Sequence, residues 1–133
     1  MPILTATSDD RHTLVSHWAS DALVVVCLCA AWCDTCNEFR ATYGRIAQSR
    51  SGMLFVWVDI EDDSEVCGDI DVENFPTLAI YRGDTLLHFG VSMPHEGIVG
   101  RLVDEMHDRT QRATDAPMAV VELPRALKQG TSG

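Results

Sequence analysis

Ala31-Trp32-Cys33-Asp34-Thr35-Cys36 sets two thiols three positions apart, directly behind a tryptophan. Cysteines in a reducing compartment pack as small apolar side chains, bind metal, or exchange electrons. The C-x-x-C spacing lets two sulfurs close a small disulfide ring. An exposed thiolate can attack a partner's disulfide, and the second thiol can then release the mixed intermediate. Metal binding asks for more ligands than this stretch holds. A closed zinc site needs four, and no second C-x-x-C occurs in the chain. Neither a metal nor another cofactor is expected. Packing suits Cys27 and Cys29, which lie in an apolar run, but not a polar-flanked Cys-Asp-Thr-Cys.

The elements around the pair decide what it can do. Ala22 to Ala30 is a continuous, β-branched apolar run, which reads as a strand buried on both faces. From about Cys33 a helix fits, with Cys36, Phe39, Tyr43, Ile46 and Ala47 at helical spacing. Cys33 would then stand at a helix start, where free backbone N–H groups favour an anionic sulfur, and Cys36 one turn further in. Upstream, Ile3 to Thr7 reads as a short strand. Ser8 is placed to cap a helix with Leu14, Val15 and Trp18 on its apolar face. Downstream, Met53 to Val58 is a third strand. The acidic segment Asp59 to Asp71 allows a short helix burying Val66 and Ile70. Thr77 to Tyr81 and the stretch after Arg82-Gly83-Asp84 read as a hairpin. Ile98, Val99, Leu102, Val103 and Met106 mark one face of a closing helix, with Pro94 and Glu96 near its start. The order predicts a mixed central sheet with helices on both faces, an α/β three-layer sandwich over residues 1–110. Pro117 and Pro124 interrupt the remaining segment, so residues 111–133 are expected to form a partly mobile C-terminal tail, dispensable for the fold.

Composition narrows the partners. Of 133 residues, 46% are hydrophobic, enough for a sizeable core. Ten Lys and Arg face twenty Asp and Glu, a net charge of −10, which repels nucleic acid and anionic membrane. No twenty-residue apolar run is present, so no membrane span is expected. The N-terminal stretch lacks the marks of a signal peptide. Five cysteines, an odd number at irregular spacing, make a poor secreted disulfide framework. A cytoplasmic protein is expected.

From about Ile3 to His107 the sequence resembles the thioredoxin family. "AAWCDTC" is similar to its WCxxC motif, and "NFPTLAIYRGDTLLHFG" to its proline-threonine strand, hairpin and closing glycine. The resemblance implies a thioredoxin-like fold and a thiol–disulfide oxidoreductase, an enzyme acting on protein disulfides and fed by a thioredoxin-reductase-type electron donor. It implies Cys33 as nucleophile and Cys36 as resolving thiol. It implies a cis peptide bond before Pro76, with the Phe75 backbone offered to the substrate. Trp32, Phe75 and Val91 would form the apolar platform around them.

The chain departs from the family in places that matter. Asp34-Thr35 replaces the usual Gly-Pro between the thiols, and Asp34 sets a like charge beside Cys33. That charge offsets part of the helix effect and points to a reductant rather than a strong oxidant. The family's buried Asp and Lys correspond to Cys27 and Trp57, neither of which can move protons as a carboxylate does. A family aromatic is replaced by Cys29. Alternation puts Cys27 and Cys29 on one face of their strand, either as small apolar filling or as a reserve of thiols beneath the site. These losses leave a second reading open: a chaperone or assembly factor on the same fold, acting mainly by binding.

Overall fold

The computed structural model describes residues 3–5, 8–50, 52–67, 70, 74–109, 112–113 and 116–129. In chain order these form β1 (Leu4–Thr5), α1 (Ser8–His17), β2 (Leu23–Cys29), α2 (Asp34–Ser49), β3 (Leu54–Asp59), α3 (Ser64–Cys67), β4 (Thr77–Arg82), β5 (Thr85–Val91), α4 (Glu96–His107), α5 (Met118–Val121) and α6 (Leu123–Gln129). The five strands make one mixed sheet in the order β1-β3-β2-β4-β5. β2 runs parallel to β3 and antiparallel to β4, and all seven of its residues are buried. The apolar run is therefore the central strand, covered on both faces as its lack of alternation implies.

Strand pleating sorts the core into two layers. Val24, Val26 and Leu28 of β2, with Val56 of β3 and Tyr81 of β4, face Leu14 of α1 and Trp18 just beyond its end. Leu23, Val25, Cys27 and Cys29 face the other way, onto Phe39, Tyr43 and Ile46 of α2 and Val99 and Val103 of α4. The Tyr43 hydroxyl sits within hydrogen-bond reach of the Val25 and Val56 carbonyl oxygens, 2.9 and 3.0 Å away. A buried phenol thus keeps a polar partner.

Several expectations shift. Of the strand expected from Ile3 to Thr7, only Leu4–Thr5 pairs, and Ala6 and Thr7 lie outside the described residues. Val15 and Ile98 are exposed rather than on the apolar faces of their helices, because each helix buries a narrower stripe. Among the described residues of the acidic segment, Cys67 and Ile70 are buried and Val66 is half-buried. The side chain of Ser8 is outside the described residues.

The largest difference lies at the C-terminus. Among residues expected as a tail, α5 and α6 pack onto the sheet face that carries α1. Val120, Leu123 and Leu127 are buried there beside Leu14, Trp18 and Tyr81. Tyr81 donates its hydroxyl proton to the Val120 carbonyl at 2.6 Å, and Ala113 N–H donates to Leu86 O at 2.8 Å. Lys128 pairs with Asp84 and lies over the Trp18 ring. The two prolines do not prevent this packing. Pro117 stands immediately before α5, and Pro124 occupies the first turn of α6, where a missing N–H costs nothing.

Candidate functional site

The chain leaves β2 at Cys29, turns through Ala30 to Cys33, and enters α2 at Asp34. Two bonds hold that turn: Cys33 N–H to Ala30 O at 3.1 Å, and Asn37 Nδ2 to Ala31 O at 3.0 Å. Cys33 is the N-cap residue of α2, with extended backbone and a half-buried side chain. Its carbonyl accepts the Asn37 N–H, the first bond of the helix. Unpaired N–H groups of the first turn gather there, a place suited to an anionic sulfur. Asp34 and Thr35 are exposed on that turn, and Cys36 points inward with no exposed surface.

Around Cys33 lies an apolar rim. Trp32 is 62% exposed, yet its orientation is fixed. Its indole N–H donates to Glu61 Oε1 at 2.9 Å, and its ring meets Phe75 edge-on at 5.5 Å. Glu61 is held in turn by the loop that follows β3, where the Asp59 carboxylate accepts the N–H groups of Glu61 and Asp62. The peptide bond from Phe75 to Pro76 is cis, as the resemblance implied. Pro76 is buried, its carbonyl accepts the Ser92 N–H at 3.0 Å, and Thr77 anchors the bend through Oγ1 to Asn74 O at 2.7 Å. Val91 lies across from Thr77 at the end of β5 and is exposed, as is Met93 just beyond. Glu61 and Met93 escaped the sequence reading. Nothing local marks a lone glutamate 29 residues from its tryptophan; only the return of β3 beside β2 brings them together.

Beneath the rim lies a cluster of sulfurs. Cys29 and Cys36 are joined as a disulfide, while Cys27, Cys33 and Cys67 are free. The partner that Cys36 holds here is thus the strand cysteine, not the expected Cys33. The Sγ of Cys27 lies 3.8 Å from that of Cys29. A disulfide sulfur carries no hydrogen, so Cys27 is the donor. Burial pushes the Cys27 thiol far above its ordinary value, with the Arg40 charge opposing only weakly, so it stays protonated. Cys27 and Trp57 sit side by side across β2 and β3. The Arg40 guanidinium stacks over the Trp57 ring at 4.7 Å, filling the place with a cation–π pair. Cys67 is elsewhere, on α3; burial, with Asp63 and Asp59 nearby, pushes its thiol up to about 11.

Known proteins share this fold. The family model described as Thioredoxin matches residues 3–99. Thioredoxin of Mus musculus is 33% identical over 64 residues, covering 48% of this chain and 61% of that protein. Thioredoxin-1 of Caenorhabditis elegans is 23% identical over 103 residues, covering 77% of this chain and 80% of that one. Against the first of these, the match spans about three fifths of the relative's length. Among solved structures, the thioredoxin of Fasciola hepatica superposes with a TM-score of 0.64 at 22% identity, covering 80% of this chain and 99% of that one. The thioredoxin NaTrxh of Nicotiana alata gives 0.65 at 17%, covering 79% and 92%.

Proposed function

Since the chain belongs to the thioredoxin family, we propose that it is a dithiol–disulfide oxidoreductase that reduces protein disulfides through Cys33 and Cys36. The observation that carries this reading is the placement of the two cysteines. One is half-buried at the start of α2, beside an exposed tryptophan; the other is buried one turn inside. In the reduced protein the Cys33 thiolate attacks one sulfur of the partner's disulfide, and the other leaves as a thiolate. A mixed disulfide results. The Cys36 thiolate then attacks the Cys33 sulfur, the partner departs with two thiols, and Cys33–Cys36 holds the oxidising equivalents. A thioredoxin-reductase-type donor returns two electrons. Phe75, before the cis bond, offers its backbone to the partner as to an added strand, with Trp32 and Val91 as apolar walls.

The exposed Asp34 beside the nucleophile favours the reducing direction. No helix among the described residues is long and apolar enough to cross a membrane. The odd thiol count supports a cytoplasmic setting, with a role in keeping cellular thiols reduced. The test is insulin reduction with dithiothreitol as donor, wild type beside Cys33→Ser. Turnover by wild type and its loss in the variant support the oxidoreductase. Equal, negligible rates in both would instead favour a binding protein built on the same fold.

A further inference from the structure

We propose that Cys29 is a second resolving thiol, so that Cys36 is shared between a surface disulfide with Cys33 and a buried one with Cys29. The inference rests on the oxidoreductase reading and extends it inward.

Three features carry it. Cys29 ends β2 and Cys36 is the third residue of α2, and the short turn between them folds the helix back over the strand. Their Cα atoms come to 5.8 Å, within the range a disulfide spans, and the bond is formed. Both residues are wholly buried, so the bond is shielded from solvent reductants. Cys27 stands against the Cys29 sulfur as an S–H donor. A donor there stabilises the thiolate that Cys29 becomes whenever it is displaced.

The exchange is balanced without any further oxidant. Starting from Cys33–Cys36, the Cys29 thiol gives up its proton and its sulfur attacks Cys36 Sγ. The bond from Cys36 to Cys33 breaks, Cys33 leaves as a thiolate, and it takes up a proton. One disulfide and one thiol enter, and one disulfide and one thiol emerge. The oxidised protein then retains a free Cys33 at the rim, able to attack a second partner disulfide while Cys36 is occupied. In the reverse step Cys33 attacks Cys36 and Cys29 departs beside Cys27.

Disulfide mapping decides the matter. The protein is oxidised with oxidised dithiothreitol, quenched with iodoacetamide, and cut without reduction by chymotrypsin after Trp32 and Phe39. Cys33 and Cys36 then share one peptide, while Cys29 lies on another. The expected result is the two peptides linked through Cys29 and Cys36, with carbamidomethyl on Cys33. In Cys29→Ala the label on oxidised Cys33 should be lost, leaving a looped Cys33–Cys36 peptide. A looped peptide alone in wild type overturns the proposal, and insulin turnover by that same sample would leave the oxidoreductase reading standing. Persisting Cys33 label in oxidised Cys29→Ala, with Cys36 unlabelled, assigns another partner to Cys36 and also overturns it. Linked peptides in a protein that fails to reduce insulin overturn the reading on which the proposal rests. The wild-type map requires no variant to fold.

Discussion

At the scale of single residues, reactivity follows position on α2. Cys33 lies at the cap, half-buried, and Cys36 is enclosed. In the fully reduced protein, iodoacetamide at neutral pH should modify Cys33 well before Cys36, Cys27, Cys29 or Cys67, read by mass spectrometry after a time course. Preferential modification of Cys36 would reverse the assigned roles. Cys36→Ser should hold partner proteins as mixed disulfides on Cys33, because no buried thiol at that position remains to release them. Asp34→Gly removes the like charge beside the nucleophile and should raise the alkylation rate severalfold. Cys27 and Trp57, paired on β2 and β3 in the core layer that holds Cys36, offer no carboxylate to the proton that Cys36 loses on resolving. Cys27→Asp, which the nearby Arg40 charge would help to ionise, should therefore raise the resolving rate near pH 7. Stopped-flow tryptophan fluorescence reads that rate, and circular dichroism verifies the fold. An unchanged rate in a folded variant would remove the proton bottleneck.

Among the elements, α5 and α6 belong to the core. Leu123 and Leu127 are buried between α1 and the sheet. Leu123→Ala should cost about 2–5 kcal/mol, the usual penalty for a cavity at a buried leucine. Urea titration measures it. Removing residues 112–133 should lower the thermal midpoint by many degrees and expose the face of β5 and α1 that these helices cover. A midpoint within a degree or two of the full chain would mean that the two helices contribute little. The hairpin turn is equally constrained. Gly83 has φ +59° and its carbonyl accepts the Trp18 indole N–H at 2.7 Å. A Cβ on it would stand 2.2 Å from the Ser20 carbonyl oxygen. Gly83→Ala should thus cost about 1–3 kcal/mol from the left-handed backbone alone, with the clash added.

For the whole molecule, charge and buried thiols set the response to conditions. Net charge is −10, and Asp34, Glu38 and Glu61 are exposed around the site. A basic disulfide peptide should be reduced faster than an acidic one of matched length, and salt should narrow the gap as screening shortens the field. Equal kcat/KM values at low salt would show that the field does not reach the encounter. Alkaline stability follows from Cys27 and Cys67. Both thiols titrate higher in the folded than in the unfolded chain, because burial penalises the thiolate. Between pH 9 and 11 the unfolded chain has lost the Cys67 proton that the folded one keeps, so unfolding releases a proton and stability falls as pH rises. The thermal midpoint of the reduced protein should be level up to about pH 8.5 and then decline. Cys67→Ala should soften that decline, and an identical slope in the variant would assign it to other groups.

Much of this was legible in the sequence because it depends on neighbours along the chain. The apolar run at Leu23–Cys29 announces a central strand, the 3.6 spacing from Cys36 to Ala47 announces α2, and Arg82-Gly83-Asp84 announces the hairpin. Two cysteines at the join of strand and helix mark the candidate site, and the family resemblance announces the cis bond before Pro76. What escaped depends on contacts across the fold. Met118–Gln129 shows no long periodic face, since among the described residues two short helices bury only Val120 from one and Leu123, Pro124 and Leu127 from the other, and burial exists only once the sheet stands beneath them. Glu61 meets Trp32 only because β3 lies beside β2. Strand alternation could say that Cys27 and Cys29 share a face. Only the fold of α2 back over the end of β2 decided that Cys29, rather than Cys33, would stand bonded to Cys36. The sulfur pairing is a matter of distance through space, which spacing along the chain does not encode.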